Sequence, residues 1–228
     1  MVFHYTDDYT LTGFNPNGKP GSSSSNGNYG FTTEPQNEVT TSGASGSAAT
    51  TAPTEVKVSG STAAATVKAE NQSEILKQAV DKKSTEIILE VSQADSKGAD
   101  SVQLSLEVSF VKNVADKTDA DLTVNTEHGK VTLDQETIKT VLAEAKGATI
   151  TLEVTKVAKP TEAQKQAAGA NGHLLKLTIK SGDKVISDFN KGKVKVVAEI
   201  VSKLLDKKVA AIHIADDGKI EQLAGKIL

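Results

Sequence analysis

From Thr54 to the C-terminus, short runs of alternating apolar and polar residues give way in turn to short amphipathic stretches. Ile87, Leu89 and Val91 fall two apart, as do Leu122 and Val124, then Ile150, Leu152 and Val154, and finally Ile212 and Ile214. A period of two predicts strands with one buried and one wet face. Before each strand lies a stripe at helical spacing: Ile75, Leu76, Ala79 and Val80; Phe110, Val111, Val114 and Ala115; Ile138, Val141, Leu142 and Ala145; Ile200, Val201, Leu204 and Leu205. Steps of one, three and four place such residues on one side of a helix. Further strands are predicted ahead of the helices, over residues 65–69, 102–106, 131–133 and 194–197.

The segments align with one another. Residues 110–124 match 75–89 and 138–152 without gaps, and 200–214 more loosely; Lys77, Asp81 and Lys82 correspond to Lys112, Asp116 and Lys117. The predicted unit is strand–short helix–strand, repeated. Helices of about three turns need a sheet to pack on. The fold class expected is α+β: repeated units forming mixed β-sheets with helices packed on one face, around an aliphatic core, preceded by a disordered linker.

Local signals support the segmentation. Asn71 and Glu74 have capping-box spacing, Asp134 suits an N-cap, and Gly147 suits the position after a helix end. Pro160 and Thr161, with Gln164 three residues after the threonine, open a further short helix to about Ala168. Turns are expected at Glu127-His128-Gly129, Ser181-Gly182-Asp183 and Asp216-Asp217-Gly218. A helix is also expected over residues 197–208.

The first 53 residues differ. Six of the eight Phe and Tyr residues (Phe3, Tyr5, Tyr9, Phe14, Tyr29 and Phe31) fall in the first 31 positions. Residues 18–53 are dominated by Gly, Ser, Thr and Asn and have no hydrophobic period, so they read as a linker. Residues 3–14 read as the tail of an upstream module. The domain plan is a tether over 1–53 and an α+β domain over 54–228, with a sub-boundary near 158–160.

Composition narrows the function classes. The chain has 228 residues and a net charge of −3, and all 26 basic residues are Lys. A nucleic-acid binder needs a basic face, and phosphate recognition favours the Arg fork, so neither is expected. There is no Cys, which excludes disulfides and thiolate sites. No apolar run reaches membrane-spanning length, and the start of the chain has no basic and apolar leader.

Chemistry-bearing patterns are sparse. His4, His128, His173 and His213 lack partners at metal-ligand spacing, and a surface or turn role is expected for each. The acidic stretches 95–100 and 116–121 have Lys interleaved and do not match a calcium loop. Beyond Thr54 there is no Trp or Tyr to line a sugar cleft, and no GxSxG, GxGxxG or phosphate-loop motif occurs. No catalytic, cofactor-binding or metal-binding residue is assigned, no cofactor is expected, and the chain is read as not an enzyme.

Several stretches resemble a repeat-containing domain of large Gram-positive, clostridial-type cell-surface proteins, which often carry S-layer-homology anchor modules. They are AVDKKSTEII (79–88), VADKTDADLTV (114–124) with GKVTLD (129–134), LTIKSGDKVISDF (177–189) with GKV (192–194), and IHIADDGKI (212–220). The similarity spans most of residues 70–220. It implies an extracellular, wall-associated spacer or adhesive module that is part of a longer exported protein, with no active residues to carry over. Similar sequences continue into further strands, and look strand-like where residues 197–208 here read as helix. The alternatives are a ligand-binding module for a cell-wall polymer or host protein, and an accessory domain of a surface hydrolase. The expected partners are a cell-wall polymer or another surface protein, not nucleic acid; sequence leaves the oligomeric state open.

Overall fold

The computed structural model describes residues 2–5, 38–168, 173–198, 212–214 and 220–222. The fold is α+β with two mixed sheets. In chain order the elements begin with β1 (Val2–Tyr5), β2 (Thr40–Ser42), β3 (Ala49–Pro53), β4 (Glu55–Ser59) and β5 (Thr62–Thr66). Then come α1 (Ala69–Lys82), β6 (Glu86–Glu90), α2 (Gln93–Ser96), β7 (Ser101–Glu107) and α3 (Val108–Lys117). Next are β8 (Asp121–Thr126), β9 (Gly129–Leu133), α4 (Gln135–Glu144), β10 (Thr149–Lys156) and α5 (Glu162–Ala168). Last are β11 (His173–Ser181), β12 (Lys184–Ile186), β13 (Val194–Val197), β14 (Ile212–Ile214) and β15 (Ile220–Gln222).

The larger sheet runs β15-β14-β1-β11-β10-β7-β5-β4, with β12 also beside β11. Among its described strands only β5 and β7 are parallel. The smaller sheet runs β13-β9-β8-β6-β3-β2, with β3, β6 and β8 parallel. Between β5 and β10 the chain shuttles between the sheets. Parallel neighbours need a long crossover. Here the crossover from β5 to β7 contains β6 of the other sheet, and that from β6 to β8 contains β7. Interleaving lets each sheet serve as part of the other's connection.

The inner faces close on one core. Val102, Leu104 and Leu106 of β7 face it with Ile150, Leu152 and Val154 of β10; Ile87 and Leu89 of β6 face it with Leu122 and Val124 of β8. The helices add Ile75 and Ala79, then Phe110, Val111 and Val114, then Ile138 and Val141. α3 lies between α1 and α4. The strand–helix–strand successions β5–α1–β6, β7–α3–β8 and β9–α4–β10 are present. The first two run from the larger sheet to the smaller, and the third runs the other way.

Several expectations are corrected. Residues 40–53 of the expected tether form β2 and β3, and β3 lies inside the smaller sheet, between β2 and β6. Small side chains make this possible: Ala48, Thr50 and Ala52 are fully buried. The Thr50 hydroxyl is satisfied in a chain, bonded to Ser84 Oγ at 2.8 Å and to Thr41 Oγ1 at 3.0 Å. Thr41 then donates to Gln78 Oε1 at 2.7 Å, and Gln78 Nε2 donates to the Val39 carbonyl at 3.1 Å. A polar, aperiodic segment thus folds because its hydroxyls bond one another. β1, within residues expected to be the tail of an upstream module, pairs with β11 and β14. The expected break near 158–160 falls in the loop between β10 and α5, and β10 and β11 on either side of that stretch are adjacent strands.

Among the local signals, Asp134 caps α4, accepting from the Thr137 N–H at 2.8 Å. Thr161 and Gln164 form a reciprocal capping box on α5 at 2.9 and 3.2 Å. The turns at Glu127-His128 and Gly182-Asp183 join β8 to β9 and β11 to β12. Asn71 is no cap, because α1 starts earlier, after Lys68. Gly147 lies beyond the Ala145 cap of α4, and its N–H donates to Ser181 Oγ at 3.1 Å. The strand expected over 65–69 is β5, Thr62–Thr66. His173 opens β11 and is not in a turn. Val80 is 45% exposed, so the α1 stripe is narrower than four residues. The helix expected over residues 197–208 and the Asp216-Asp217-Gly218 turn lie almost wholly outside the described residues.

Candidate functional site

The outer face of the larger sheet carries a polar ladder. Ser101, Gln103 and Ser105 of β7 stand opposite Thr155, Glu153 and Thr151 of β10. At its centre the Glu153 carboxylate accepts from Ser101 Oγ at 2.8 Å and Gln103 Nε2 at 3.1 Å. Burial pushes this carboxyl up, but the bonds from Ser101, Gln103 and Thr155 and the charge of Lys180 outweigh it and hold it below the ordinary range. Such a carboxylate stays ionised and accepts hydrogen bonds; it is poorly suited to carry a proton. Around it Lys57, Lys176 and Lys180 stand on the same face as Glu55.

The outer face of the smaller sheet is more acidic. Thr123 Oγ1 donates to Glu86 Oε1 at 2.5 Å and shares a hydrogen bond with Thr132 at 2.9 Å. Asn125 Nδ2 donates to Glu90 Oε2 at 2.8 Å. Asp121 is raised by burial and by the charges of Asp134 and Glu86. Among the described residues, no three His, Asp or Glu side chains are grouped so as to hold a metal ion. Of the two acidic stretches, Asp116 pairs with Lys112 along α3 and Asp95 lies in α2.

Asp134 ties two elements together. Its Oδ1 caps α4, its Oδ2 accepts from the Lys193 N–H at 2.9 Å, and its own N–H donates to the Lys193 carbonyl at 3.2 Å. Gly192 permits this approach, since a Cβ there would lie 2.5 Å from Thr137 N and 2.7 Å from Thr137 Cα. Burial raises the Asp134 carboxyl, and the N–H bonds from Lys193 and Thr137 overcome it, leaving a net lowering.

Of the four histidines, only His128 has a described side chain; His4, His173 and His213 are placed by strand pairing alone, in β1, β11 and β14. His128 is half-buried in the β8–β9 turn. The sequence places its neighbour Glu127 in the same turn but gives it no partner; in the structure Glu127 Oε2 accepts from the Gly98 N–H at 3.4 Å. No motif marks that pair, because the two residues are 29 positions apart.

Two hollows are open to solvent. One, of 440 Å³, lies between α1 and α3 and is lined by Leu76, Lys77, Val80, Asn113 and Lys117. The other, of 210 Å³, lies beside β11 and β12 and is lined by Leu177, Ile179, Val185 and Phe189 among others. The titratable groups that burial and neighbours perturb, Asp121, His128, Asp134 and Glu153, line neither. Comparison with family models, with curated proteins and with solved structures finds no match to this chain, so the resemblance to clostridial surface modules rests on the quoted segments.

Proposed function

We propose that this chain is a non-catalytic structural module, a spacer or adhesive element, of a bacterial cell-surface protein. The observation that carries the reading is how its polar groups are used. On both outer sheet faces they bond sideways to their neighbours in the same sheet: Glu153 to Ser101 and Gln103, Thr123 to Glu86 and Thr132, Asn125 to Glu90. The inner faces close on aliphatic side chains and Phe110. Groups committed to each other stabilise a rigid body and leave little capacity for a substrate. Lysines and glutamates are mixed on the larger sheet, which suits a solvated spacer better than a site for a polyanionic polymer.

Placement at the surface follows from the sequence resemblance. It is tested by labelling intact, unpermeabilised cells of the source bacterium with antibody raised against the purified chain. Labelling of intact cells is the expected result; signal only after lysis would refute the surface assignment. The passive role is tested separately by calorimetry against purified wall polymer. Saturable heat at micromolar concentration would replace the spacer reading with a ligand-binding one.

A further inference from the structure

β1 lies between β11 and β14 and pairs antiparallel with both. Val2, Phe3, His4 and Tyr5 stand opposite Lys176, Leu175, Leu174 and His173 on one side. On the other, Val2, Phe3 and His4 stand opposite Ile214, His213 and Ile212. Among the described strands, β14 and β15 reach β11 only by way of β1. β1 therefore fills a slot whose two flanking edges are open without it, and open edges take up a strand that reaches them. β12 shares this side of β11, covering residues 179–181 where β1 covers 173–176. The two strands differ in how they are attached. Gly182 and Asp183 alone join β12 to β11, so β12 pairs with its own chain. β1 is joined to β2, in the other sheet, by residues 6–39. At full extension that length reaches roughly 110 Å, more than the width of a domain of this size. Connectivity thus fixes which sequence fills the slot but not which copy supplies it.

We propose that the slot between β11 and β14 is an interaction site for a second copy of this chain, which inserts its residues 2–5 in place of the resident β1. Main-chain pairing supplies the affinity, as in other cases of strand addition. In the exchanged state the same residues meet the same partners, so the backbone bonds gained match those lost. What differs is the cost of bringing two copies together. A connection such as residues 6–39 holds a strand near its own slot at an effective concentration on the order of millimolar. The resident strand wins in dilute solution, and a neighbour's strand competes when copies are crowded to a similar concentration. Mutual exchange closes a dimer, whereas exchange passed from copy to copy builds a chain of them. The inference stands on strand pairing and connectivity, and it holds wherever the protein resides.

The chain has no native Cys, so disulfide trapping on the full chain reads the exchange directly. Two neighbouring register pairs serve, Phe3→Cys with Leu175→Cys and Val2→Cys with Lys176→Cys. Opposed pairs alternate between the wide and the close spacing, so one of the two suits a disulfide. The second pair also spares the core, since Lys176 is exposed. Each pair is first placed in a single chain, where oxidation should close it within the molecule. The pair that closes is then divided between two chains, which are mixed at about 1 mM and oxidised. The expected result is a covalent dimer joining the two variants. The control mixes the same β1 variant with Val185→Cys, an exposed position on β12 that is not a partner of β1, and should give no dimer beyond that of random collision. Closure within one chain but no dimer from the divided pair would overturn the proposal. So would an equal yield with Val185→Cys, or failure of both pairs to close within one chain.

Discussion

Asp134 shows how much one side chain can join. It caps α4 and clasps Lys193, so it fixes a helix start and the approach of β13 at once. Replacing an N-cap carboxylate with Ala costs about 0.5–2 kcal/mol, and the lost Lys193 bond places Asp134→Ala at the upper end of that range. Asp134→Asn should cost less, because an amide oxygen can still accept from Thr137 while its NH₂ cannot accept from Lys193. The carboxyl is lowered in the fold, so its contribution is present above the ordinary carboxylate range and is lost as pH falls through it. Denaturant melts at neutral pH and near about pH 3 should therefore show a smaller difference between wild type and Asp134→Ala in acid. At this scale sequence reading was effective where a signal is local: the Asp134 cap and the Thr161–Gln164 box each lie within three residues of their partners. It failed at Asn71, because the helix starts earlier, after Lys68, and at Glu127, whose partner is remote.

At the scale of elements, α3 is the centre of the helical row, and Phe110 is its largest buried side chain, 1% exposed. Phe110→Ala should destabilise by about 3–5 kcal/mol, since the cavity opens between elements that cannot collapse independently. Equilibrium urea unfolding measures this, and a loss under about 1 kcal/mol would mean that α3 packs loosely. The period of two and the helical stripes located most described elements in the right order. They overestimated the buried width of α1, where Val80 remains exposed beside the α1–α3 groove. A stripe records which residues are apolar; the angle at which a helix meets its neighbours decides which of them are covered.

For the whole molecule, the main consequence concerns where the folded body begins. β3 is an interior strand of the smaller sheet, hydrogen-bonded on both sides. A chain starting at Thr54 should therefore lose its cooperative thermal transition, whereas one starting at Glu38 keeps the smaller sheet whole; circular dichroism melts of the two compare them directly. Limited proteolysis should leave β2 and β3 uncut. The sequence alone determined the fold class, the aliphatic core and most strand and helix positions, because these follow from periodicity over a few residues. Only the tertiary structure decided that the Ser/Thr-rich segment is part of the body, that consecutive strands go to different sheets, and that a turn meets a loop through Glu127 and His128. Those outcomes depend on hydroxyls, backbones and side chains brought together from 29 or more positions apart (Gly98 to Glu127 spans 29, Thr50 to Ser84 spans 34), and no local pattern records such meetings.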